Sequence, residues 1–268
     1  ANQNTRLGLA LNVLRMTNEH TMAVFEMGIN NREEMKQLAH IAHPTMAIIT
    51  NIGHCHMEGI GSLQDIATEK RKIFSFFTEK NIGIINGDQP ILSKVSYTHP
   101  VVKFGLKTTN QVQARKITYG NNKTHFTLKL YNQKYNLTLP KQHIGPVFSS
   151  LASATAAHLL EIDPQYITRG LEKPVTITGR FEHRRLKNNK GILINDCYNA
   201  NPESMKAALT AFEEIETSYP KVAILGDMLE LGVNRAFWHR QIGRFLRKIS
   251  SVKKVILVGK MVECSKKT

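Results

Sequence analysis

The 268-residue sequence carries 36 lysines and arginines against 21 aspartates and glutamates, a formal net charge of +15 at pH 7. Such a charge would suit nucleic-acid binding, but the basic residues are dispersed and accompany no nucleic-acid-binding motif, so we expect no nucleic-acid partner. The sequence has neither a run of about 18 apolar residues nor a signal-peptide pattern, and we expect no membrane partner. Its three cysteines lack metal-ligand spacing, which favours a reduced, cytoplasmic protein.

The first part of the chain alternates apolar strands with helices. The pattern predicts, in order, a helix over 9–16, a strand over 21–26, a helix over 32–41 and a strand over 45–51. Strands that alternate with helices predict a parallel sheet with right-handed crossovers.

Polar side chains follow two of these strands. Glu26 ends the strand over 21–26, and His54, His56 and Glu58 follow the strand over 45–51. A carboxylate and an imidazole that meet at the carboxyl edge of a sheet would bind a divalent cation. The alternative is that Glu26 caps a helix and that the histidines are ordinary loop residues.

A helix is predicted over 62–77, with Ser62 as its N-cap. Ile66, Lys70, Ile73 and Phe74 recur at helical spacing on one face, so Lys70 lies within an apolar stripe. A lysine in such a stripe usually buries its stem and extends its ammonium to water. The alternative is a neutral amine that reacts with carbon dioxide, giving a carbamate whose oxygens suit a hard cation.

The rest of the chain predicts further βα units around an antiparallel region. Strands are predicted over 82–87 and 101–105, antiparallel hairpins over 112–140, and helices over 145–161 and 164–171; then come a linker at 173–174, a strand over 191–196, a helix over 202–216, a strand over 221–226, a helix over 235–248 and a strand over 254–259. We predict two domains, residues 1–178 and 179–268.

The strand over 191–196 stops at a carboxylate, Asp196. Asn201 is then a plausible N-cap and Pro202 the first helical residue. A carboxylate at the carboxyl end of a parallel strand, just before a helix, lies where open α/β sheets bind ligands. An ordinary βα turn is the alternative.

Several motifs together resemble the Mur ligase family. Asp-Cys-Tyr-Asn-Ala-Asn-Pro at 196–202 is similar to the segment that opens the C-terminal domain of these enzymes. Asn-Ile-Gly-x-x-His-x-Glu-Gly-x-Gly-Ser at 51–62 is similar to their loop that holds magnesium and approaches adenine. Gly-Arg-Phe-Glu at 179–182 resembles their hinge segment, and Leu-Gly-Asp-Met-Leu-Glu-Leu-Gly at 225–232 resembles a motif of their C-terminal domain. The motifs follow the order and spacing of the family.

The resemblance implies a set of site residues. It implies metal ligands at Glu26, His56 and Lys70; ATP-binding residues at Asn51, Arg180, Asp196, Tyr198 and Asn199; catalytic residues at Lys70, Arg180 and His239; and substrate-binding residues at Asn4 and Asp227. Within this set, Lys70 is at the position of a lysine that the family carries as a carbamate, and Asp196 is at the position that holds the ribose of ATP.

The resemblance also implies a fold and an activity. The fold is α/β, a Mur-ligase-like central parallel sheet with an antiparallel hairpin region, followed by an incomplete Rossmann-like C-terminal domain. The activity is an ATP- and Mg²⁺-dependent ligation of D-alanyl-D-alanine to UDP-N-acetylmuramoyl-tripeptide through an acyl phosphate, by a cytoplasmic protein that we expect to be a monomer. The sequence leaves open a folylpolyglutamate-synthetase-like ligase and a non-catalytic remnant.

The sequence departs from the family pattern at several places, and two of them bear directly on the site. It lacks the P-loop that cradles nucleotide phosphates, and it has Glu69-Lys-Arg-Lys72 where the family usually has Ala-Lys-Gly-Glu. The added cations would favour an anionic carbamate on Lys70 but would compete with magnesium. Because the chain begins without methionine and stops after a strand, we expect it to be a piece of a longer protein.

Overall fold

The computed structural model describes residues 3–140 and 143–267. The α-helices are α1 Arg6–Leu14, α2 Glu34–Ala42, α3 Met57–Ile60, α4 Leu63–Arg71, α5 Pro90–Ser93, α6 Ile144–Leu159, α7 Pro164–Leu171, α8 Pro202–Glu214 and α9 Arg235–Leu246. The strands are β1 Met46–Ile49, β2 Ile82–Asn86, β3 Val101–Gly105, β4 Val112–Gly120, β5 Lys123–Leu130, β6 Gln133–Leu139, β7 Glu182–Arg185, β8 Ile192–Asn195, β9 Lys221–Gly226 and β10 Val252–Val258.

The described residues fall into two compact units. The first comprises the residues up to Ile52 together with His56–Gln113, and the second comprises Gly53–Cys55 together with the residues from Ala114 onward. The predicted domain boundary at 178/179 stays a prediction. Among the residues that the structure describes, no helix has the length and the apolar character needed to cross a membrane.

The larger sheet has the strand order β1-β2-β3-β4-β5-β6. β1 pairs with β2, β2 with β3, and β3 with β4, all in parallel, which confirms the predicted parallel sheet. β5 and β6 form an antiparallel hairpin with Thr124 opposite Leu139, which confirms the predicted hairpin region. Buried and more exposed residues alternate along β5, as expected when one face of a hairpin is wet.

The predicted strand over 21–26 is wrong. These residues are irregular, and Val24 is 89% exposed. A strand requires a hydrogen-bonded neighbour, and among the described strands β1 is at the sheet edge and pairs with β2 alone. Glu26 therefore lies in an irregular segment and not at the carboxyl end of a sheet strand.

The core of the first unit lies between its strands and helices. Ile85 on β2 is fully buried and belongs to one apolar cluster with Leu38 on α2 and Ile66 on α4. The predicted helix over 62–77 starts as expected, with Ser62 as its N-cap in a capping box with Asp65. The α-helix ends at Arg71, and a 3₁₀ turn, Lys72–Phe74, follows it.

The C-terminal strands form two separate pairs. β9 and β10 are parallel, as predicted. β8, which precedes Asp196, was predicted to lie in a parallel sheet, and this is wrong: it pairs antiparallel with β7. The short 3₁₀ turn Lys187–Asn189 between β7 and β8 lets the chain reverse, so the nearest partner in sequence becomes the hydrogen-bonded neighbour.

Helix α8 begins as the sequence predicts. Asn201 caps it through a hydrogen bond from the backbone N–H of Ser204 to Asn201 Oδ1, 2.8 Å, and Pro202 is the first helical residue. The Ser204 hydroxyl in turn accepts a hydrogen bond from the backbone N–H of Asn201. These contacts fix the point at which the loop after Asp196 becomes a helix.

Candidate functional site

The loop after β1 carries Asn51, and three side chains hold its backbone. Gln89 forms two hydrogen bonds with Ile52, from Ile52 N to Gln89 Oε1 and from Gln89 Nε2 to Ile52 O, each 2.8 Å. Asn86 Nδ2 donates to Thr50 O at 3.3 Å. Lys70 Nζ donates to Asn51 O at 3.1 Å. The structure therefore brings together two predicted site residues, Asn51 and Lys70, on a loop held in place on both sides.

The cations next to Lys70 are bound by neighbouring groups. Arg71 Nη1 donates to Ile91 O at 3.0 Å. Lys72 pairs with Glu69 at 2.7 Å and also with Glu33. Hydrogen bonds to Glu33 and Glu69 raise the pKa of Lys72, so its ammonium is retained as a cation. The two cations that the sequence adds beside Lys70 are thus engaged by protein oxygens.

Glu69 is a residue that the sequence reasoning missed. Its side chain is almost fully buried, at 2% exposed, and it accepts a hydrogen bond from Met35 N at 3.1 Å in addition to the Lys72 ion pair. Met35 lies in the first turn of α2, where backbone N–H groups lack partners within the helix. Glu69 therefore joins α4 to the start of α2. The signal available in the sequence was a charged residue flanked by apolar positions on the buried side of a helix.

Asn4 and Glu26, predicted for different roles, are also in contact. Asn4 Nδ2 donates to Glu26 Oε1 at 3.2 Å, and Gly28 N donates to Asn4 O at 3.2 Å. A Cβ atom on Gly28 would come within 2.7 Å of Asn4 Nδ2, so a larger residue there would displace the Asn4 side chain from this position. The Glu26 side chain remains exposed to solvent.

The predicted histidine group does not form one cluster. His56 precedes α3 with a left-handed backbone, φ 56°, and Glu58 is exposed. His54 instead bonds within the second unit, where its backbone N–H donates to Glu203 Oε2 at 3.2 Å and its ring lies 4.2 Å from that of Trp238. Within residues 3–140 and 143–267, no group of three or more His, Cys, Asp or Glu side chains is placed to hold a metal ion.

In the second unit, Arg180 and Tyr198 are in direct contact. The Arg180 guanidinium carbon lies 4.2 Å from the centre of the Tyr198 ring, and both side chains are exposed. The pair is held by a hydrogen bond from Tyr198 N to Gly179 O, 3.1 Å, at a glycine with φ +72°. Within the described part of the chain, the Arg180 guanidinium makes no hydrogen bond or ion pair, so its planar donors are available to an anionic ligand.

Asp196 holds the segment that carries Arg180. Its Oδ1 accepts a hydrogen bond from Phe181 N at 2.9 Å, and Phe181 has a left-handed backbone, φ 46°. Asn199 Oδ1 accepts a hydrogen bond from Ala200 N at 2.8 Å in the adjoining turn. The structure therefore places four predicted nucleotide-binding residues, Arg180, Asp196, Tyr198 and Asn199, on two neighbouring segments of the second unit.

Glu182 organises the same region and was not singled out from the sequence. It accepts hydrogen bonds from Gly179 N at 3.1 Å, from Arg184 Nε at 2.7 Å and from Asn195 Nδ2 at 3.3 Å. The Arg184 hydrogen bond, followed by the Gly179 N–H, lowers the pKa of the Glu182 carboxyl. The sequence signal for this role was the position of Glu182 in Gly-Arg-Phe-Glu, three residues after the glycine whose N–H it binds.

Asp227 and His239 bond mainly to backbone groups. Asp227 Oδ1 accepts from Met261 N at 3.0 Å and from Val262 N at 2.7 Å. His239 is fully buried; its Nε2 accepts from Met228 N at 3.0 Å, which assigns the ring proton to Nδ1, and Nδ1 donates to Arg235 O at 2.7 Å. Both ring nitrogens are thus engaged, which suits a residue that positions the loop after β9.

Family profiles match both parts of the chain. The profile of the Mur ligase middle domain matches residues 1–153, and that of the Mur ligase, glutamate ligase domain matches residues 179–267. The chain therefore belongs to the Mur ligase family of ATP-dependent ligases. The mixed α/β fold is the one that the resemblance predicted.

Individual members of the family show which Mur ligases this chain is similar to. The chain is 34% identical, over 97% of its length, to the UDP-N-acetylmuramoyl-tripeptide--D-alanyl-D-alanine ligase of Bacillus subtilis, of which it covers 56%. It is 31% identical to the ligase of the same name from Escherichia coli, over 97% of this chain and 57% of that one. Among solved structures, MurF from Acinetobacter baumannii matches with TM-score 0.90 and 26% identity, over 99% of this chain and 58% of that one. The chain thus spans little more than half the length of these relatives.

Proposed function

We propose that the protein carrying this sequence is an ATP-dependent ligase that joins D-alanyl-D-alanine to UDP-N-acetylmuramoyl-tripeptide. The observation that supports it most is the 34% identity, over 97% of the chain, to a ligase with that name. The sequence Tyr198-Asn-Ala-Asn-Pro202 supports the same member of the family, since the member that adds diaminopimelate or lysine tends to carry Tyr-Ala-His-Thr-Pro. The same relatives favour it over a folylpolyglutamate-type ligase.

The reaction has two steps. A carboxylate oxygen of the tripeptide attacks the γ-phosphorus of ATP, the bond to the bridging oxygen breaks, and ADP leaves with that electron pair. The amine of D-alanyl-D-alanine then attacks the acyl carbon, phosphate leaves, and the nitrogen loses a proton as the amide forms. Because anions approach each other in the first step, catalysis rests on cationic groups and on positioning.

In this proposal Arg180 stabilises the charge on the transferring phosphoryl group. Its guanidinium carbon lies 4.2 Å from the centre of the Tyr198 ring, an arrangement that orients the side chain. Asp196 and Asn199 would hold the ribose. Asp227 and His239 act as positioning residues, because their contacts fix the loop after β9.

Magnesium would be held by Glu26 and His56 together with the nucleotide. Mg²⁺ is usually bound through one or two protein ligands, substrate phosphates and waters, so the exposed Glu26 carboxylate fits such a site although the described residues gather no complete ligand set. The ion would neutralise charge on the phosphates. Lys70 would contribute to this site as a carbamate; alternatively, as an ammonium, it holds Asn51 through the observed bond to its carbonyl oxygen.

The proposal is tested on the complete protein that carries this sequence, by measuring phosphate release with ATP and UDP-N-acetylmuramoyl-tripeptide. We expect release to depend on D-alanyl-D-alanine. We expect Arg180→Ala to lower kcat about 100-fold or more. Arg185→Ala, which removes an exposed arginine on β7, is the matched control and should keep full activity.

Absence of D-alanyl-D-alanine-dependent release would overturn the assignment, and equal losses in the two arginine variants would overturn the role of Arg180. We also expect the 268-residue chain by itself to show negligible turnover, because its sequence contains no P-loop lysine. Ligation by the isolated chain at the rate of the complete protein would contradict this expectation.

A further inference from the structure

A buried lysine lies at the amino-terminal edge of the β9–β10 pair, at the end of β9 opposite to Asp227. Lys221 is the first residue of β9 and pairs with Val252, the first residue of β10, so the amino ends of both parallel strands meet there. Asp227 follows the opposite, carboxyl end of β9. The Lys221 side chain is 9% exposed.

Among the residues that the structure describes, the hydrogen-bond partners of the Lys221 ammonium are uncharged groups. Nζ donates to Glu213 O at 2.6 Å and lies 3.4 Å from Ser251 Oγ, and it is 5.7 Å from the centre of the Phe212 ring. Within the described residues no carboxylate lies within ion-pair distance of it; Glu213 Oε1 instead accepts from Ser250 N at 2.9 Å. Burial lowers the pKa of Lys221, and the charge of the nearby Glu213 carboxylate offsets this only in part.

A cavity of about 660 Å³ opens beside this ammonium. Lys221, Lys253 and the hydroxyl-bearing Ser218 and Ser251 line it, with Glu216 as the acidic residue of the lining. Two cations against one carboxylate leave the cavity with a net positive charge. Its volume lies in the range of small-molecule sites, about 300–1,000 Å³.

The structural role of Lys221 alone does not account for this arrangement. Glu213 lies in the last turn of α8, whose carbonyl groups lack partners within the helix, and a lysine there satisfies one of them. An ammonium has three donors, however, and the second bond, to Ser251 Oγ, is long. A charge-assisted hydrogen bond to an anion would give the remaining N–H donor of Lys221 a partner.

We propose that this cavity binds a phosphate group, either free phosphate or the phosphate of a small organic ester, through Lys221, Lys253 and Ser251. Lys221 provides the desolvated charge at the inner wall, and Lys253 closes the site from the strand β10. The Ser251 hydroxyl, which also lines the cavity, donates to a phosphate oxygen. The site is distinct from the proposed ligase site, since none of its residues contributes to that one.

The test is isothermal titration calorimetry on the complete protein with sodium phosphate at constant ionic strength and without nucleotide. The titration is made in an Arg180→Ala background, so that phosphate binding through Arg180 does not contribute, and the Lys221, Lys253 and Lys254 variants are compared within that background. We expect saturable binding that Lys221→Met weakens about 10-fold or more and that Lys253→Met weakens several-fold. Lys254→Met is the matched control, because Lys254 is the adjacent exposed lysine on β10 and does not line the cavity.

Glycerol 3-phosphate is titrated in parallel to separate the two sources of the phosphate group. Tighter binding of the ester assigns the site to organic phosphates, and equal or weaker binding assigns it to free phosphate. Absence of saturable binding of both would overturn the proposal, as would equal losses in Lys253→Met and Lys254→Met, which indicate general charge attraction. Since Lys221→Met removes a helix-end contact, its circular dichroism spectrum is recorded, and Lys253→Met and Ser251→Val decide the outcome if it does not fold.

Discussion

The parallel sheet of the first unit and the parallel β9–β10 pair of the second are built from similar apolar strands but are covered differently. Ile84 and Ile85, adjacent on β2 and facing opposite sides, are both fully buried. Val222 and Ile224, on one face of β9, are 42% and 64% exposed, whereas Ala223 and Leu225 on its other face are buried. Strands with similar apolar sequences can therefore be buried on two faces or on one, and the surroundings of each strand determine how many faces are covered.

The largest expected effect on stability comes from truncating one isoleucine on β2 and comparing it with the same change on β9. Ile85→Ala removes a fully buried side chain and should lower the free energy of unfolding by about 3 kcal/mol, because it leaves a cavity that the core fills only in part. Ile224→Ala, its matched control on β9, should change it by about 0.5 kcal/mol or less. Urea denaturation followed by circular dichroism gives both values. Similar losses at the two positions would show that the exposed face of β9 is covered in solution.

The buried ion pair of the first unit provides a second, smaller contrast. Glu69→Ala removes the acceptor of the Met35 N–H and leaves Lys72 without its buried partner, so we expect a loss of about 2 kcal/mol of unfolding free energy. Glu33→Ala removes the exposed carboxylate that also binds Lys72, and its effect should be much smaller.

The same denaturation measurement shows whether Glu69 and Glu33 contribute differently to the free energy of unfolding. If Glu33→Ala costs as much as Glu69→Ala, the ion pair and not the buried hydrogen bond to α2 would account for the stabilisation. In that case Glu69 would not join α4 to the start of α2 as its contacts indicate.

The smallest expected effect concerns pH. His99 is buried among Phe74, Phe77 and Tyr97, and burial lowers its pKa below the ordinary value. The unfolded chain then binds more protons than the folded one as the pH falls below about 6.5, so the free energy of unfolding should decrease there, by at most about 1.4 kcal/mol per pH unit.

Denaturation at a series of pH values checks this expectation. His99→Leu should remove the corresponding part of the pH dependence, because no proton then binds at this position. His40→Leu, at an exposed histidine of α2, should retain it. Unchanged pH dependence in His99→Leu would show that other groups produce it.

Much of the fold and of the candidate site followed from local patterns. The caps at Ser62 and Asn201, the helix Pro164–Leu171 and the hairpin region were predicted because each depends on residues a few positions apart. The 179–182 and 196–202 motifs are neighbours in the structure, and the roles of their site residues stay predictions.

Other features were fixed by contacts between distant residues, which no local pattern records. The segment 21–26 has the composition of a strand but no hydrogen-bonded neighbour among the described strands, and β8 pairs with β7 instead of joining a parallel sheet. His239 resembled a catalytic residue in its motif, yet packing buries it and directs both ring nitrogens to backbone groups. The role of Glu69 depended on where the first turn of α2 lies, 34 residues earlier in the chain.

The sequence by itself determined the family, the alternation of strands and helices, and the starts of α4, α7, α8 and α9, because periodicity, capping and motif spacing act over one or two turns of chain. The tertiary structure alone decided which strands pair, which faces are covered and which charges are buried. It engaged the cations beside Lys70, and among the described residues it left the Lys221 ammonium without an ion pair at the edge of a cavity. The physical reason is that pairing and desolvation depend on which surfaces meet, and those surfaces come from residues far apart in the chain.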